Sequence, residues 1–125
     1  MAFHCYERPE MKSRWSDAEA KEFVARYTAQ GVSEDLALRT YTTRLLGSDP
    51  KLVLHGGGNT SVKTTAKDQL GENVDVLCVK GSGWDMGNIE PQCLPAVRLH
   101  ELRRLRRLNT LSDEDMVNFQ RIKLL

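Results

Sequence analysis

The chain has 125 residues, of which 40% are hydrophobic and 28% charged, and its formal net charge is +1. These proportions are typical of a globular domain and exclude the disordered and fibrous classes. Because the chain is nearly neutral, it is not built to bind polyanions, and we expect no nucleic-acid partner. At this length we expect one domain or a large part of one.

Residues 1–15 show no hydrophobic periodicity, which predicts an N-terminal arm. Ser16 and Glu19 then form a capping-box pattern, which predicts a helix that ends at Gly31. The apolar face of this helix comprises Ala20, Phe23, Val24 and Tyr27. The spacing of these four residues places them on one side of a helix that packs against a core.

A second helix is predicted to begin after Ser33, which is a good N-cap, and to be closed by Gly47 and Pro50. Its apolar stripe comprises Leu38, Tyr41, Thr42 and Leu45. The two helices together predict a helical hairpin that precedes the first strand.

Three strands are predicted, at residues 52–55, 60–65 and 74–79, with a polar hairpin connection at residues 67–73. The last of these strands is almost continuously apolar, which favours a strand covered on both faces. Helices and strands are therefore mixed, and we expect an α/β fold around a central sheet.

Pro95 is placed at the first turn of another predicted helix, in which leucines recur at helical spacing. Ser112 with Asp115 predicts the start of a last helix. Neither glycine nor proline closes this helix before Leu125, so we expect the natural domain to continue beyond that residue.

The three cysteines, Cys5, Cys78 and Cys93, are odd in number and widely spaced. This argues against a disulfide framework and against a zinc ribbon. The sequence contains no apolar run of the length needed for a signal peptide or a membrane span. We therefore expect a cytoplasmic protein with no membrane partner.

Two turns rich in glycine, Gly56-Gly57-Gly58-Asn59-Thr60-Ser61 and Gly81-Ser82-Gly83, each follow a predicted strand. Glycine allows the backbone to turn sharply and to approach a ligand closely, and successive N–H groups in such turns bind anions. The first turn lacks the final Gly-Lys-Ser/Thr of a nucleotide P-loop, and it leads into a strand rather than a helix, unlike a dinucleotide fingerprint. The pair therefore predicts a site that clamps one phosphate group.

Asn59 and Ser61 project to the same side of an extended segment. We interpret them as donors to a phosphate or a substrate hydroxyl, and the alternative is an Asx turn that stabilises the loop. Asp85 is either a general base or a turn residue that caps a helix. His4, His55 and His100 have no metal-ligand spacing and are interpreted as structural or exposed.

The string Gly57-Gly58-Asn59-Thr60-Ser61 and the string Lys80-Gly81-Ser82-Gly83, preceded by a helical pair, resemble the N-terminal half of the class II aldolase/adducin family. Residues 54–63, 81–86 and 94–99 resemble the branch of bifunctional rhamnulose-1-phosphate aldolases with a short-chain dehydrogenase. The likeness covers residues 16–125, which we expect to be the N-terminal portion of such a domain, incomplete at its C-terminus.

The resemblance implies part of a three-layer α/β/α domain with a central mixed or antiparallel sheet, and a homo-oligomer that is usually a tetramer. It implies reversible cleavage of a sugar phosphate, such as rhamnulose 1-phosphate, into dihydroxyacetone phosphate and an aldehyde. In the family, two turns hold the substrate phosphate, and the positions that match them here are Gly58, Asn59, Ser82 and Gly83. Ser61 matches the serine of the first motif.

The family's chemistry needs a zinc ion as Lewis acid and a glutamate that moves the proton. The motifs that supply them lie downstream of the part that this chain matches, and none of its histidines stands at an equivalent place. The resemblance therefore implies neither catalytic nor metal-binding residues in this chain. We expect the isolated chain to be inactive, and zinc-dependent aldol cleavage by it would contradict that expectation.

Two other functions share this scaffold. One is a non-catalytic association module like the adducin head, and the other is an epimerase or dehydratase. A Ser-x-Glu motif followed by His-x-His further along the natural sequence would favour the enzymes over the association module.

Overall fold

The computed structural model describes residues 10–125, so residues 1–9 of the predicted N-terminal arm, with His4 and Cys5, lie outside the described residues. The elements are α1 (Asp17–Thr28), α2 (Glu34–Gly47), β1 (Ser61–Lys67), β2 (Asn73–Val79), β3 (Ala96–Arg98), α3 (Leu99–Arg104) and α4 (Asp113–Ile122). Short 3₁₀ turns lie at Met86–Asn88, Pro91–Cys93 and Leu105–Arg107. The chain has an α/β fold, as the sequence predicts.

The predicted helical hairpin is confirmed. The hydroxyl of Ser16 accepts the Glu19 N–H at 3.3 Å, and the hydroxyl of Ser33 accepts the Leu36 N–H at 3.3 Å, so both serines act as N-caps. The predicted apolar stripe of α2 is wrong in detail, because only Tyr41 of its four residues is buried. The other buried residues of α2 are Ala37, Thr40 and Thr43, whose small size allows close packing.

The sheet is antiparallel, in the order β1-β2-β3. Val62 pairs with Cys78 across β1 and β2, and Cys78 pairs with Ala96 across β2 and β3. The central strand β2 buries Val76 and Cys78 on one face, whereas the residues of its other face are half-buried or exposed. The prediction that β2 is covered on both faces is therefore only partly correct.

Two predicted elements are wrong. Residues 52–55 form turns rather than a strand, because their N–H groups bond locally: Leu52 and Val53 both donate to the Asp49 carbonyl, at 3.0 and 3.1 Å. Pro95 does not begin a helix but precedes β3, and α3 starts only at Leu99. The β-branched Val97 favours the strand, which pairs with the edge of β2 before the leucine periodicity begins.

Helix α2 runs alongside β1 in the opposite direction, so the C-terminal end of α2 lies next to the N-terminal end of β1. Asp35 accepts a hydrogen bond from the Thr64 hydroxyl at 3.0 Å, and Thr43 and Thr60 share one between their hydroxyls at 2.8 Å. Four residues of a helix rise about 6 Å and two residues of a strand about 6.6 Å, so the two elements stay in step. As a result, Gly47 at the end of α2 reaches the loops that follow β2.

The core lies between the sheet and the segment after β2. Its buried residues are Val76, Cys78, Ile89, Cys93 and Leu94. Cys78 and Cys93 are both free, and burial raises the pKa of the Cys78 thiol, which makes it unreactive. These two cysteines therefore act as small core residues.

The last helix is followed by a short pairing with the sheet. Leu124 forms a bridge with Val97, and the Arg98 N–H donates to the Lys123 carbonyl at 3.1 Å. The helix α4 itself buries none of its residues. Within residues 10–125, no helix has both the length and the apolar character needed to cross a membrane.

Candidate functional site

The two glycine-rich turns lie side by side beyond the ends of β1 and β2. We call residues 55–59 the first turn and residues 81–85 the second turn. The Lys80 N–H donates to the Thr60 carbonyl at 3.0 Å and extends the ladder toward the turns. Further out, Nδ1 of His55 lies 2.9 Å from Oδ2 of Asp85. Contacts therefore join the two turns both next to the sheet and at the end away from the sheet.

The first turn depends on glycine at two positions. Gly56 and Gly58 have φ values of +74° and +76°, in the left-handed region that favours glycine. The Gly57 N–H donates to the Leu54 carbonyl at 2.9 Å and closes a tight turn. A Cβ on Gly56 would lie 3.9 Å from the Gly83 carbonyl oxygen, so this part of the first turn faces the second.

The second turn is held by hydrogen bonds on both sides. The Gly81 N–H donates to the Cys93 carbonyl at 2.9 Å, and Oδ1 of Asp85 accepts the Gly87 N–H at 2.9 Å. Asp85 thus caps the 3₁₀ turn that follows, as the capping interpretation of this residue predicts. The Gly87 hydrogen bond, and then the neighbouring His55 and Lys80, hold the pKa of Asp85 below its usual value, so its carboxylate is ionised at neutral pH.

The side chain of Met86 packs against the first turn. Its side chain is only 2% exposed, and a Cβ on Gly58 would lie 2.5 Å from its sulfur atom. Met86 also lies against the end of α2, where a Cβ on Gly47 would come within 2.4 Å of the backbone of Met86 and Gly87. The backbone of α2 therefore packs against the segment directly after the second turn, and the Met86 side chain of that segment packs against the first turn.

The predicted phosphate ligands fall in and beside this pair of turns. Continuing the β1–β2 register places Asn59 opposite Gly81 and Gly58 opposite Ser82. Among the described residues, the backbone N–H groups of Gly58, Asn59, Ser82 and Gly83 have no hydrogen-bond acceptor, and these four residues are exposed. Ser61 lies outside the turns as the exposed first residue of β1, opposite Val79.

The Asx-turn alternative for Asn59 is not what the fold adopts. Within residues 10–125 the side-chain amide of Asn59 makes no hydrogen bond, whereas Asp49 and Asp68 do form local turns with the N–H groups two residues later. The amide of Asn59 is therefore available to a ligand.

Lys80 adds a positive charge that the sequence interpretation did not assign to the site. The residue is only 7% exposed, and its ammonium donates to the Gly81 carbonyl at 3.3 Å. No carboxylate in the described part of the chain forms a salt bridge with it. The Asp85 carboxylate is near enough for Lys80 to lower its pKa but forms no salt bridge with it, so an anion at the second turn would stabilise this buried ammonium. The signal in the sequence was a lysine directly after an apolar strand.

A polar network anchors the segment that follows the second turn to both N-terminal helices. The Tyr27 hydroxyl donates to Oε2 of Glu90 at 2.6 Å, and Nε of Arg44 donates to the Ile89 carbonyl at 2.7 Å. Arg44 also pairs with the Glu90 carboxylate and lies over the Phe23 ring. Burial, and then the hydrogen bond to Glu90, raise the pKa of Tyr27, so its hydroxyl still donates at neutral pH.

Substitution of Glu90 by glutamine should destabilise the protein by about 1 kcal/mol, because it replaces a charged acceptor of two hydrogen bonds with a neutral one. The partial exposure of Glu90 limits the loss. This corresponds to a fall in Tm of about 4 °C. The matched control is Glu22→Gln, which breaks an exposed i,i+4 pair with Arg26 and should cost about half as much or less. Equal shifts in thermal melts of the two variants would contradict an anchoring role for Glu90.

The described residues hold no group of three or more His, Cys, Asp or Glu side chains that could bind a metal ion. His55 is exposed and paired with Asp85, and His100 lies exposed on α3. His4 lies outside the described residues.

Two known proteins are similar to this chain. A solved structure, the N-terminal class II aldolase domain of a conserved protein from Thermoplasma acidophilum, superposes with a TM-score of 0.75 and 34% sequence identity, over 92% of this chain and 48% of that one. The uncharacterized oxidoreductase YuxG of Bacillus subtilis is 39% identical over 79 residues, which are 63% of this chain and 12% of YuxG. The chain thus spans about half of the solved chain and about one eighth of YuxG. No family model matches it.

Proposed function

This chain carries the fold of the N-terminal part of a class II aldolase domain, and from that premise we propose that it supplies the phosphate-binding half of an enzyme acting on a sugar phosphate. The proposed reaction is cleavage of a ketose 1-phosphate of the rhamnulose type into dihydroxyacetone phosphate and an aldehyde. The enzyme would work in the cytoplasm as a homo-oligomer.

The observation that carries the proposal is the pairing of the two turns around unbonded donors. Within residues 10–125, four backbone N–H groups and the side-chain amide of Asn59 have no hydrogen-bond partner, and the buried Lys80 directly precedes the second turn. Oriented N–H groups and one fixed cation are the usual elements of a phosphate site. A neutral ligand would leave the buried ammonium of Lys80 without a salt bridge among the described residues.

In this proposal the residues of the chain bind and orient the substrate. The N–H groups of Gly58, Asn59, Ser82 and Gly83 and the Ser82 hydroxyl donate to the phosphate oxygens, and Lys80 neutralises part of their charge. Ser61, two residues beyond Asn59, is proposed to donate to a substrate hydroxyl. Fixing the phosphate places the carbon chain of the sugar at a defined position, which lowers the entropic cost of the later reaction.

Zinc is the metal that the aldolase fold implies, but the described residues do not provide a set of ligands for it. YuxG, which bears the name of an oxidoreductase, is matched over only 12% of its length, which supports the proposal that the natural protein has further parts with an activity of their own.

The proposal is tested by calorimetric titration of the chain, in one experiment with inorganic phosphate and in another with rhamnulose 1-phosphate. Both should bind, whereas unphosphorylated rhamnulose should not. An adducin-like association module would bind neither inorganic phosphate nor rhamnulose 1-phosphate.

Replacement of Lys80 by methionine should weaken phosphate binding by about 10- to 100-fold, the value of a lost charge-assisted hydrogen bond. The variant should be as stable as the original chain or more stable, because methionine fills the same space without a buried charge. The control is Lys63→Met, which removes an exposed lysine from β1 and should leave phosphate affinity within about twofold. Unchanged affinity in Lys80→Met would contradict the proposed site.

A further inference from the structure

His55 and Asp85 form the outermost contact between the two turns. The imidazole Nδ1 lies 2.9 Å from Oδ2 of the carboxylate, while Oδ1 of the same carboxylate accepts the Gly87 N–H at 2.9 Å. Both oxygens of Asp85 are therefore used, one within its own segment and one across to the first turn. The side chain of Asp85 is 30% exposed and that of His55 is 89% exposed.

The first turn has little else to hold it. It consists of His55, three consecutive glycines and Asn59, and glycine loses more conformational freedom on ordering than any other residue. Contacts of this segment with the neighbouring loop include that of His55 with Asp85, the approach of Gly58 to Met86, and the backbone bond between Thr60 and Lys80. Without the first of these, residues 55–57 would be free to move away from the second turn.

These contacts do not involve the backbone N–H groups that are proposed to bind the phosphate. Gly58 and Asn59 in the first turn, and Ser82 and Gly83 in the second, have N–H groups with no acceptor in the part of the chain that the structure describes. An anion binds most tightly to donors whose spacing is already set, because ordering them on binding costs free energy. The outer contact thus limits how far the donors of the two turns can move apart.

We propose that His55 and Asp85 are positioning residues, which hold the two glycine-rich turns at the separation that a phosphate monoester requires. The inference rests on the proposed phosphate site and deepens it, since neither residue need touch the ligand. The exposed position of the pair means that it contributes little to global stability. Its effect falls on the local order of the first turn.

The test uses the 125-residue chain and inorganic phosphate as the probe. His55→Ala should raise the dissociation constant for phosphate by about three- to tenfold, while the Tm changes by no more than about 2 °C. His55→Gln should recover most of the affinity, because its amide N–H can donate to Asp85 in place of the imidazole. The matched control is His100→Ala, which removes an exposed histidine on α3, away from the turns, and should not change the affinity.

A double-mutant cycle separates positioning from direct contact with the anion. Asp85→Asn retains an oxygen for the Gly87 N–H but loses the charged acceptor for His55, so it should weaken phosphate binding to a similar extent. In the Asp85→Asn background, His55→Ala should have little additional effect. Fully additive losses would overturn the proposal.

The outcomes are distinct. If the original chain binds phosphate and His55→Ala binds it equally well, the positioning role is wrong and the phosphate site stands. If His55→Ala loses stability in proportion to affinity and His55→Gln recovers neither, the pair is merely structural and the proposal fails. If the original chain binds no phosphate, the proposed function fails and this inference fails with it.

Discussion

Substitution of Gly47 by alanine is expected to destabilise the protein by about 3 kcal/mol, the upper part of the range for overpacking a tight contact. Gly47 is the last residue of α2, where intrinsic propensity alone would make alanine stabilising by up to about 1 kcal/mol. The added Cβ, however, would lie 2.4 Å from the backbone nitrogen of Gly87 and 2.5 Å from Cβ of Met86. Rotation of a side chain cannot relieve contact with a backbone, so α2 and the second turn must separate.

A chemical or thermal unfolding curve measures this effect, with a fall in Tm of about 12 °C expected for a domain of this size. The control is Gly71→Ala in the β1–β2 hairpin, where the added methyl group would meet nothing within 4 Å. Its cost should be limited to backbone strain at a φ of +78°, about 1 kcal/mol. Unchanged or increased stability of Gly47→Ala would show that α2 does not approach the second turn as described.

Substitution of Gly58 by alanine is expected to weaken phosphate binding by more than tenfold and to destabilise the protein by about 2 kcal/mol. Two costs add: a φ of +76°, which strains any residue with a Cβ, and a Cβ only 2.5 Å from the Met86 sulfur. Met86 is almost fully buried and has little room to move. The first turn must therefore lift away from the second, which spreads the donors of the two turns.

Gly71→Ala is again the matched control, because Gly71 has nearly the same φ as Gly58 but open space around its Cα. Backbone strain is the same in both variants. The difference between their free energies of unfolding therefore measures the cost of the contact with Met86. Phosphate affinity, measured by calorimetry, should be unchanged in Gly71→Ala. Equal affinity in Gly58→Ala would contradict the view that the spacing of the turns decides binding.

Local patterns predicted the helices and the hairpin correctly because their signals are local. Ser16, Ser33 and Ser112 cap three helices as their positions indicate, since an N-cap hydroxyl needs only an N–H group two or three residues later. The hairpin of β1 and β2 likewise follows from two strand-forming segments and a polar connection. The α/β class and the adjacency of the two glycine-rich turns then follow from the register.

The errors arose where a hydrogen bond or a packing contact, rather than residue composition, decides the local structure. Residues 52–55 look like a strand in isolation, but the Asp49 carbonyl accepts their N–H groups and keeps them in a turn. Pro95 has the composition of a helix start, yet pairing of Ala96 with Cys78 draws the next residues into the sheet. The buried face of α2 carries threonines because it must lie close to β1, which periodicity of apolar residues does not reveal.

The candidate site was predicted in part. Gly58, Asn59, Ser82 and Gly83 were placed by the glycine-rich pattern and by family resemblance, and their role as ligands stays a prediction. Lys80 and the contact of His55 with Asp85 were missed, because burial of a lysine and pairing across two loops depend on the tertiary structure. Among the described residues, Lys80 adds a positive charge next to the second turn, and the contact of His55 with Asp85 joins the two turns.

The measurement that tests the central claim most directly is a crystal structure of the chain with bound inorganic phosphate. We expect one phosphate between the two turns, with its oxygens within hydrogen-bonding distance of the N–H groups of Asn59 and Ser82 and of the Lys80 ammonium. A structure in which phosphate at saturating concentration leaves this gap empty, or in which the turns lie apart, would contradict the account.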